Sequence, residues 1–318
     1  MLSQKKFIVS HAPFWHNGSS ISEQSYNIIF AALPAVIAGI CYYGTGALAV
    51  VAMAVSTAIL WELAFNLVAK RPISIGDGNA AVIGLVFAML MPAATPWWVV
   101  VTGTFIAIVV GKQIFGGIGG NPFHPVAVAI AIMMLSWKNC FDFDHALMGY
   151  ELDFPMIIYP LAALKNFGVS AVEGLTAADL IMGKQVGGIG ATFGLGLIIG
   201  GFYLIIRGFI RWEISVSFLL GLVVTAFLFN MSDPSKYASP IFHLFTGYTL
   251  IGAFFLATED SSSPVNCVPM LLYGALGGVM TVLIRNIGVY VDGVIFAILI
   301  INLLNPLLDK IRPKAMGA

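Results

Sequence analysis

Apolar residues gather into ten stretches along this chain, near 27–43, 47–69, 79–92, 97–112, 124–137, 194–208, 213–230, 241–257, 267–285 and 290–308. A polar segment from Lys138 to Thr192 separates the first five from the last five. The pattern predicts an all-α polytopic membrane protein of about ten transmembrane or half-spanning helices, in two halves joined by one external loop. Its divisions fall at 1–26 (a cytoplasmic N-terminal segment), 27–137 (first membrane half), 138–193 (external loop), 194–309 (second half) and 310–318 (cytoplasmic tail). A helix needs ~20 residues to cross the ~30 Å hydrocarbon core. The third and fifth stretches hold only 14 each, bounded by Gly76-Asp77-Gly78 and by Asn121-Pro122-Phe123-His124-Pro125. They are expected to enter or cross partway, packed against protein, because irregular backbone at membrane depth survives only where protein or a cavity satisfies it. The alternative is two short or tilted helices.

Only 9% of the residues are charged, and mean hydropathy is +0.95. Soluble domains carry ~25% charged residues, so most of this surface must be matched to lipid and a soluble fold is excluded. Lys and Arg balance Asp and Glu at 15 each, which leaves no electrostatic case for nucleic acid or an acidic partner. Cys41, Cys140 and Cys267 stand far apart without a C-x-x-C, so the chain alone offers neither a disulfide framework nor a four-thiolate iron–sulfur site. Mostly polar residues separate Lys5 and Lys6 from the first apolar stretch, so the start does not read as a cleavable signal peptide.

Charge also orients the chain. With the N-terminus in the cytoplasm, the inside segments hold ten Lys and Arg (Lys5, Lys6, Lys70, Arg71, Lys112, Arg207, Arg211, Lys310, Arg312, Lys314), and the short outside loops hold two (Lys236, Arg285). The positive-inside rule then sets both termini in the cytoplasm, and the long loop with Thr192 on the outer face. Five stretches per half is an odd number, so homologous halves insert in opposite orientations. Lys112 closes the fourth stretch and leads through a glycine-rich linker to Asn121-Pro122; Arg285 closes the ninth and is followed by Asn286-Ile287-Gly288 and Asp292-Gly293. This weak correspondence points to two inverted five-helix repeats, a common transporter plan; a chance likeness of two glycine-rich linkers is the other reading.

Glu62 lies within the second stretch, among Leu, Trp, Ala and Phe. A carboxylate at a helix centre in a bilayer costs ~2.5 kcal/mol or more, so a polar partner or a cation is expected. Its place eight residues before Lys70 suits snorkelling to the inner interface equally well. Asp77, Asp260 and Asp292 sit at segment ends, where capping a helix accounts for each. Gly190-Ala191-Thr192 closes the external loop just before an apolar stretch, and alone reads as an N-capping threonine. No G-x-G-x-x-G stands between a strand and a helix, so nicotinamide binding is not expected in this chain.

Three blocks carry a resemblance. They are Asp77 to Leu85 (Asp-Gly-Asn-Ala-Ala-Val-Ile-Gly-Leu) followed by Pro92 and Trp97-Trp98; Gly111-Lys112-Gln113 through Gly116-Gly117-Ile118-Gly119-Gly120 to Asn121-Pro122-Phe123-His124-Pro125; and Ala257-Thr258-Glu259-Asp260, Tyr273-Gly274, Leu283-Ile284-Arg285 and Asp292-Gly293-Val294 to Asp309. Together they resemble the family of membrane subunits that includes RnfD of the Rnf ion-translocating electron-transport complexes and NqrB, over roughly residues 25–310. The short segment before the first stretch favours the RnfD type over NqrB, the subunit type of Na⁺-pumping quinone reductases.

The resemblance implies a urea-transporter-like architecture and a membrane flavoprotein subunit of an ion-translocating ferredoxin:NAD oxidoreductase. Such a subunit passes electrons through flavin while the complex couples transfer to Na⁺ or H⁺ transport across a prokaryotic cytoplasmic (inner) membrane. It implies FMN joined by a phosphoester to Thr192, with Gly190 and Ala191 leaving room for the phosphate and the modifying enzyme. Backbone N–H groups of the following helix start would lie near that phosphate. Ile189 and Phe193 stand where the family usually has serine and proline. It further implies a noncovalent riboflavin near Asn121 and His124, the latter replacing a usual asparagine. Implied partners are the other Rnf subunits (A, B, C, E, G), a flavin transferase for maturation, and membrane lipid. A rival of another class, a non-redox transporter or channel of the same architecture, has no need of an external loop ending at Thr192. Glu62 remains the candidate for an ion pathway.

Overall fold

The computed structural model describes residues 20–141, 143, 159–172 and 174–311. Most of the expected N-terminal segment (1–19), part of the external loop (144–158) and the tail (312–318) lie outside them. We number the α-helices in chain order: α1 Ile21–Tyr43, α2 Thr45–Val68, α3 Asn79–Leu90, α4 Trp97–Phe105, α5 Pro125–Ser136, α6 Pro160–Phe167, α7 Ala177–Ile181, α8 Gly194–Ile206, α9 Trp212–Ser232, α10 Pro240–Phe245, α11 Thr249–Ile251, α12 Cys267–Asn286 and α13 Val294–Leu308. The π-helical runs Ile106–Gln113 and Gly252–Leu256 prolong α4 and α11. No strand occurs among the described residues. The chain is therefore the all-helical, polytopic membrane protein that the apolar pattern predicts.

Four helices, α1, α2, α9 and α12, are long and apolar enough to cross a bilayer unaided. Helix α1 begins six residues before the predicted stretch, because Ser20 caps it by accepting the Glu23 N–H at 3.1 Å. Helices α3 and α5 have 12 residues each. At 1.5 Å per residue each spans ~18 Å, short of the hydrocarbon core. Residues 83–91 are buried without interruption, so the short third segment is packed in protein as expected.

Three segments depart from expectation. Stretch 241–257, expected as one helix, breaks at Thr246-Gly247-Tyr248, where Gly247 takes φ +66°. The fourth stretch widens into a π-helix beyond Phe105. The 138–193 segment, expected as a polar external loop, carries α6 and α7, and its end from Gln185 to Thr192 is buried.

Within the halves, α2 packs on α3 and α4, and α9 packs on α12. Between them, α1 lies against α8 and α5 against α13, so the first and sixth apolar segments meet, as do the fifth and tenth. Lipid supplies no hydrophobic drive between helices, and small residues that admit close backbone approach take its place. Gly200 of α8 faces Ala31 of α1 so closely that a Cβ would lie 2.1 Å from the Ala31 carbonyl oxygen. On α12, Gly274 and Gly278 form a G-x-x-x-G face; a Cβ at Gly278 would lie 2.1 Å from the Phe218 carbonyl oxygen on α9. Gly278→Ala is therefore expected to cost about 1–3 kcal/mol through overpacking, read as a lower melting temperature in detergent. Gly76→Ala, with no atom within 4 Å of the added Cβ, is the control and should melt like the parent. Equal melting of both variants would contradict this packing.

Candidate functional site

Helix α3 stops with three carbonyls that its own turn cannot satisfy, a severe cost where water is excluded. The end of the 138–193 segment supplies two of the donors. Ile189 N–H donates to Met91 O at 3.0 Å, and Gly190 N–H to Met89 O at 2.9 Å. The Tyr248 hydroxyl, just beyond the break between α10 and α11, donates to Leu90 O at 2.7 Å. Tyr43, closing α1, holds the same segment: its hydroxyl donates to Gly187 O and accepts the Gly187 N–H. Gln185 donates to the carbonyls of Leu180, Thr192 and Phe245.

These contacts fix Thr192 two residues before α8. It is 1% exposed, and its Oγ1 has no hydrogen-bond partner. One expectation is corrected. Thr192 does not cap the helix, because Phe193 occupies the N-cap position and the Thr192 hydroxyl accepts no N–H; the Gly194 N–H goes to the Thr192 carbonyl instead. At Gly190 a Cβ would lie 2.5 Å from Met89 Cγ, so glycine there also serves the docking on α3.

Beside this segment, Arg285 plugs the break between α10 and α11. Its guanidinium donates to His243 O, Thr246 O and Thr249 Oγ1, and pairs with Asp292 Oδ1 at 3.0 Å. Asp292 also accepts the N–H of Val294 at 3.1 Å and of Tyr248 at 2.7 Å. Gly293, not Asp292, takes the N-cap position of α13; Asp292 lies one residue earlier, in an ion pair that sequence reasoning did not assign. Burial and the Asp292 carboxylate push the nearby Tyr159 phenol well above its usual range, so it stays protonated.

A second cluster lies at the other end of the helices. Helix α1 touches both, with Ser25 near its start and Tyr43 at its end, which at 1.5 Å per residue places them ~27 Å apart. Glu62 on α2 is fully buried, pairs with Lys112 Nζ at 2.8 Å and accepts the Ser74 hydroxyl at 2.6 Å. The snorkelling alternative is thereby overturned, since neither member of the pair reaches the surface. Lys112 also lines a cavity of about 200 Å³ with Asn121, His124, Glu259, Asn79 and Gln24.

In that cavity Asn121 Nδ2 donates to Glu259 Oε1 at 2.7 Å and to Phe123 O at 3.0 Å. His124 caps α5, its Nδ1 accepting N–H bonds from Val126 and Ala127 at 3.2 and 3.4 Å. The other ring nitrogen therefore carries the proton of a neutral imidazole. Asp77 accepts the Asn79 N–H at 2.9 Å, as a capping aspartate would, while partial burial raises its carboxyl above the usual range. Asp260 instead accepts from Gln24 Nε2 on α1 and caps nothing.

The structure thus brings Gly190, Ala191 and Thr192 together at one end, and Glu62, Asn121 and His124 within one region at the other. Sequence reasoning missed the roles of Lys112, Glu259, Tyr43 and Tyr248. Lys112 carried one signal, a lone cation at the end of the fourth apolar stretch, while Glu62 stood as an unpaired carboxylate in the second. Tyrosines in such a chain carry none.

The sequence profile of the NQR2, RnfD, RnfE family matches residues 8–317. Among curated proteins, the chain is 33% identical over 347 residues to the D subunit of the ion-translocating oxidoreductase complex of Pectobacterium carotovorum, covering 98% of this chain and 99% of that protein. It is 32% identical over 348 residues to the protein of the same name from Yersinia enterocolitica, covering 97% and 98%. The Aeromonas salmonicida protein, also of that name, is 33% identical over 348 residues, covering 98% and 99%.

Proposed function

The chain belongs to the NQR2, RnfD, RnfE family, and from that membership we propose that it is the RnfD-type flavoprotein of an ion-translocating oxidoreductase complex, carrying FMN on Thr192. It is a multi-pass membrane subunit of an oxidoreductase complex, as the relatives' shared name and the apolar helices support. The observation that carries the flavin reading is the Thr192 hydroxyl: buried, unpartnered and at the end of a segment clamped to both halves. A buried hydroxyl with no partner contributes nothing to the fold. Its oxygen is therefore available for a phosphoester, which needs no hydrogen-bond donor from the hydroxyl. Because Thr192 is enclosed, the flavin transferase must meet the 185–193 segment before it docks on α3, or while it is undocked. When bound, FMN supplies a centre that accepts one or two electrons.

This chain's own residues do the holding. Tyr43, Gln185 and the Met89 and Met91 carbonyls fix the backbone that carries Thr192. A noncovalent riboflavin near Asn121 and His124 is the second cofactor of this reading. The cavity there, about 200 Å³, is below the ~300–1,000 Å³ usual for cofactor-sized ligands, and Asn121 Nδ2 is engaged by Glu259. A second flavin fits only if the cavity widens, so no step is assigned to it. The remaining partners of this reading are RnfA, RnfB, RnfC, RnfE and RnfG. The membrane is the prokaryotic inner membrane, with both termini cytoplasmic and Thr192 outermost, in line with the ten-to-two division of short-loop Lys and Arg.

The same reading assigns ion coupling to Glu62. Paired with Lys112, its carboxylate already has a resident cation, and an ion passing this point would compete with the ammonium for it.

Three outcomes test this reading. In cells that supply the flavin transferase, the denatured wild-type band should fluoresce under ultraviolet light, Thr192→Ser should keep a hydroxyl for attachment, and Thr192→Ala should be dark. A Thr192→Ala band as bright as wild type would sink the assignment. For coupling, Glu62→Gln in vesicles holding the whole complex should lower ²²Na⁺ or proton uptake per electron at unchanged flavin content. Where that single variant fails to assemble because Lys112 is left unpaired, Glu62→Gln with Lys112→Met removes the lone charge. An unchanged ion-to-electron ratio in the assembled variant removes Glu62 from the pathway. For orientation, with Cys41 and Cys267 replaced by serine, an impermeant maleimide should label Cys140 in intact cells. Partial burial raises the Cys140 thiol above its usual range, so the reaction needs mildly alkaline buffer. Labelling only after the cells are opened would reverse the topology.

A further inference from the structure

A second cavity, of about 330 Å³, opens between α6, the turn that follows α9, and the Arg285 plug. Lys165 and Lys236 stand at its mouth, both exposed, while His243 and Arg285 form its buried floor. Neither ring nitrogen of His243 has a hydrogen-bond partner, although the residue is 0% exposed. The buried Nδ2 of Asn286, also lining the cavity, lacks an acceptor. Buried donors left unpaired are costly and point to a missing acceptor.

The local charge is positive. Arg285 is matched by Asp292, and Lys236 has Asp233 nearby. The Lys165 ammonium touches only the Gly288 and Tyr290 carbonyls, at 2.6 and 2.7 Å, with no carboxylate among its bonded partners. Partial burial lowers its pKa, a penalty that a nearby anion would offset. The donors arrive from four separate elements: α6, the turn after α9, α10 and the end of α12. Acceptor oxygens spread over a tetrahedron meet that arrangement, whereas a planar carboxylate presents its two in one plane. Leu161 and Leu164 supply an apolar wall beside the polar floor.

We propose that this cavity binds a phosphate group, held by Lys165, Lys236, Asn286 and His243, and supplied by a phospholipid headgroup or by free phosphate. Headgroups lie at the level of helix ends, where this cavity opens.

Protection of the lysines from acetylation tests it, in the full-length chain in detergent, with peptide mass spectrometry as the readout. Inorganic phosphate or phosphatidylglycerol should slow modification of Lys165 and Lys236 several-fold relative to sodium chloride of equal ionic strength. Lys184, paired with Asp179 and away from this cavity, should be unaffected. Protection by phosphate but not by the lipid identifies the free ion; protection by the lipid alone identifies the headgroup; either supports the site. Lys236 packs only over the Tyr237 ring, so Lys236→Gln should fold normally yet reduce the protection of Lys165 several-fold. Equal modification in phosphate, lipid and chloride, or undiminished Lys165 protection in Lys236→Gln, would overturn the proposal.

Discussion

A helix that ends where water is excluded leaves its last carbonyls without partners, and in this chain two segments do so. The end of α3 is satisfied by Ile189, Gly190 and Tyr248; the break between α10 and α11 is satisfied by Arg285. The two solutions are linked, because Tyr248 donates its hydroxyl to Leu90 and its backbone N–H to Asp292, the partner of Arg285. One network therefore fixes both interrupted segments, and the loop carrying Thr192 is part of it. The position of Thr192 follows from the need to satisfy α3, before any cofactor is considered.

The opposite end is organised by charge. Glu62 and Lys112 each carry a desolvation penalty of several kcal/mol, which their 2.8 Å contact and the Ser74 hydroxyl offset. Lys112 and Arg285 each lie in the last turn of an apolar helical segment, and each is buried in an ion pair. Their acidic partners differ in kind: Glu62 sits inside α2, whereas Asp292 precedes α13. The shared element is thus the cation at the end of an apolar helix, where the helix dipole also favours it.

Much of the fold was legible in the apolar pattern, since burial in lipid leaves long runs that composition alone reveals. The shortness of α3 and α5 was visible for the same reason. The break at Gly247 was not, because Thr246 and Tyr248 are apolar enough to continue a stretch, and the residue that stabilises the break, Arg285, lies 39 positions from Thr246. Glu62 announced its need for a partner but not the identity of Lys112, 50 positions away. The Gly190-Ala191-Thr192 run was legible as a candidate only through resemblance. Its burial was hidden, because a loop rich in glycine reads as exposed until the carbonyls of α3 are known to need it.

The central claim is that the unpartnered hydroxyl of Thr192 is the anchor for FMN. The intact mass of the chain, purified from cells that make the assembled complex and the flavin transferase, addresses it without any substitution. The expected mass exceeds that of the sequence by one FMN less one water, with the increment confined to the peptide containing Thr192. A mass equal to that of the unmodified sequence, in a complex that still transfers electrons, would contradict the claim.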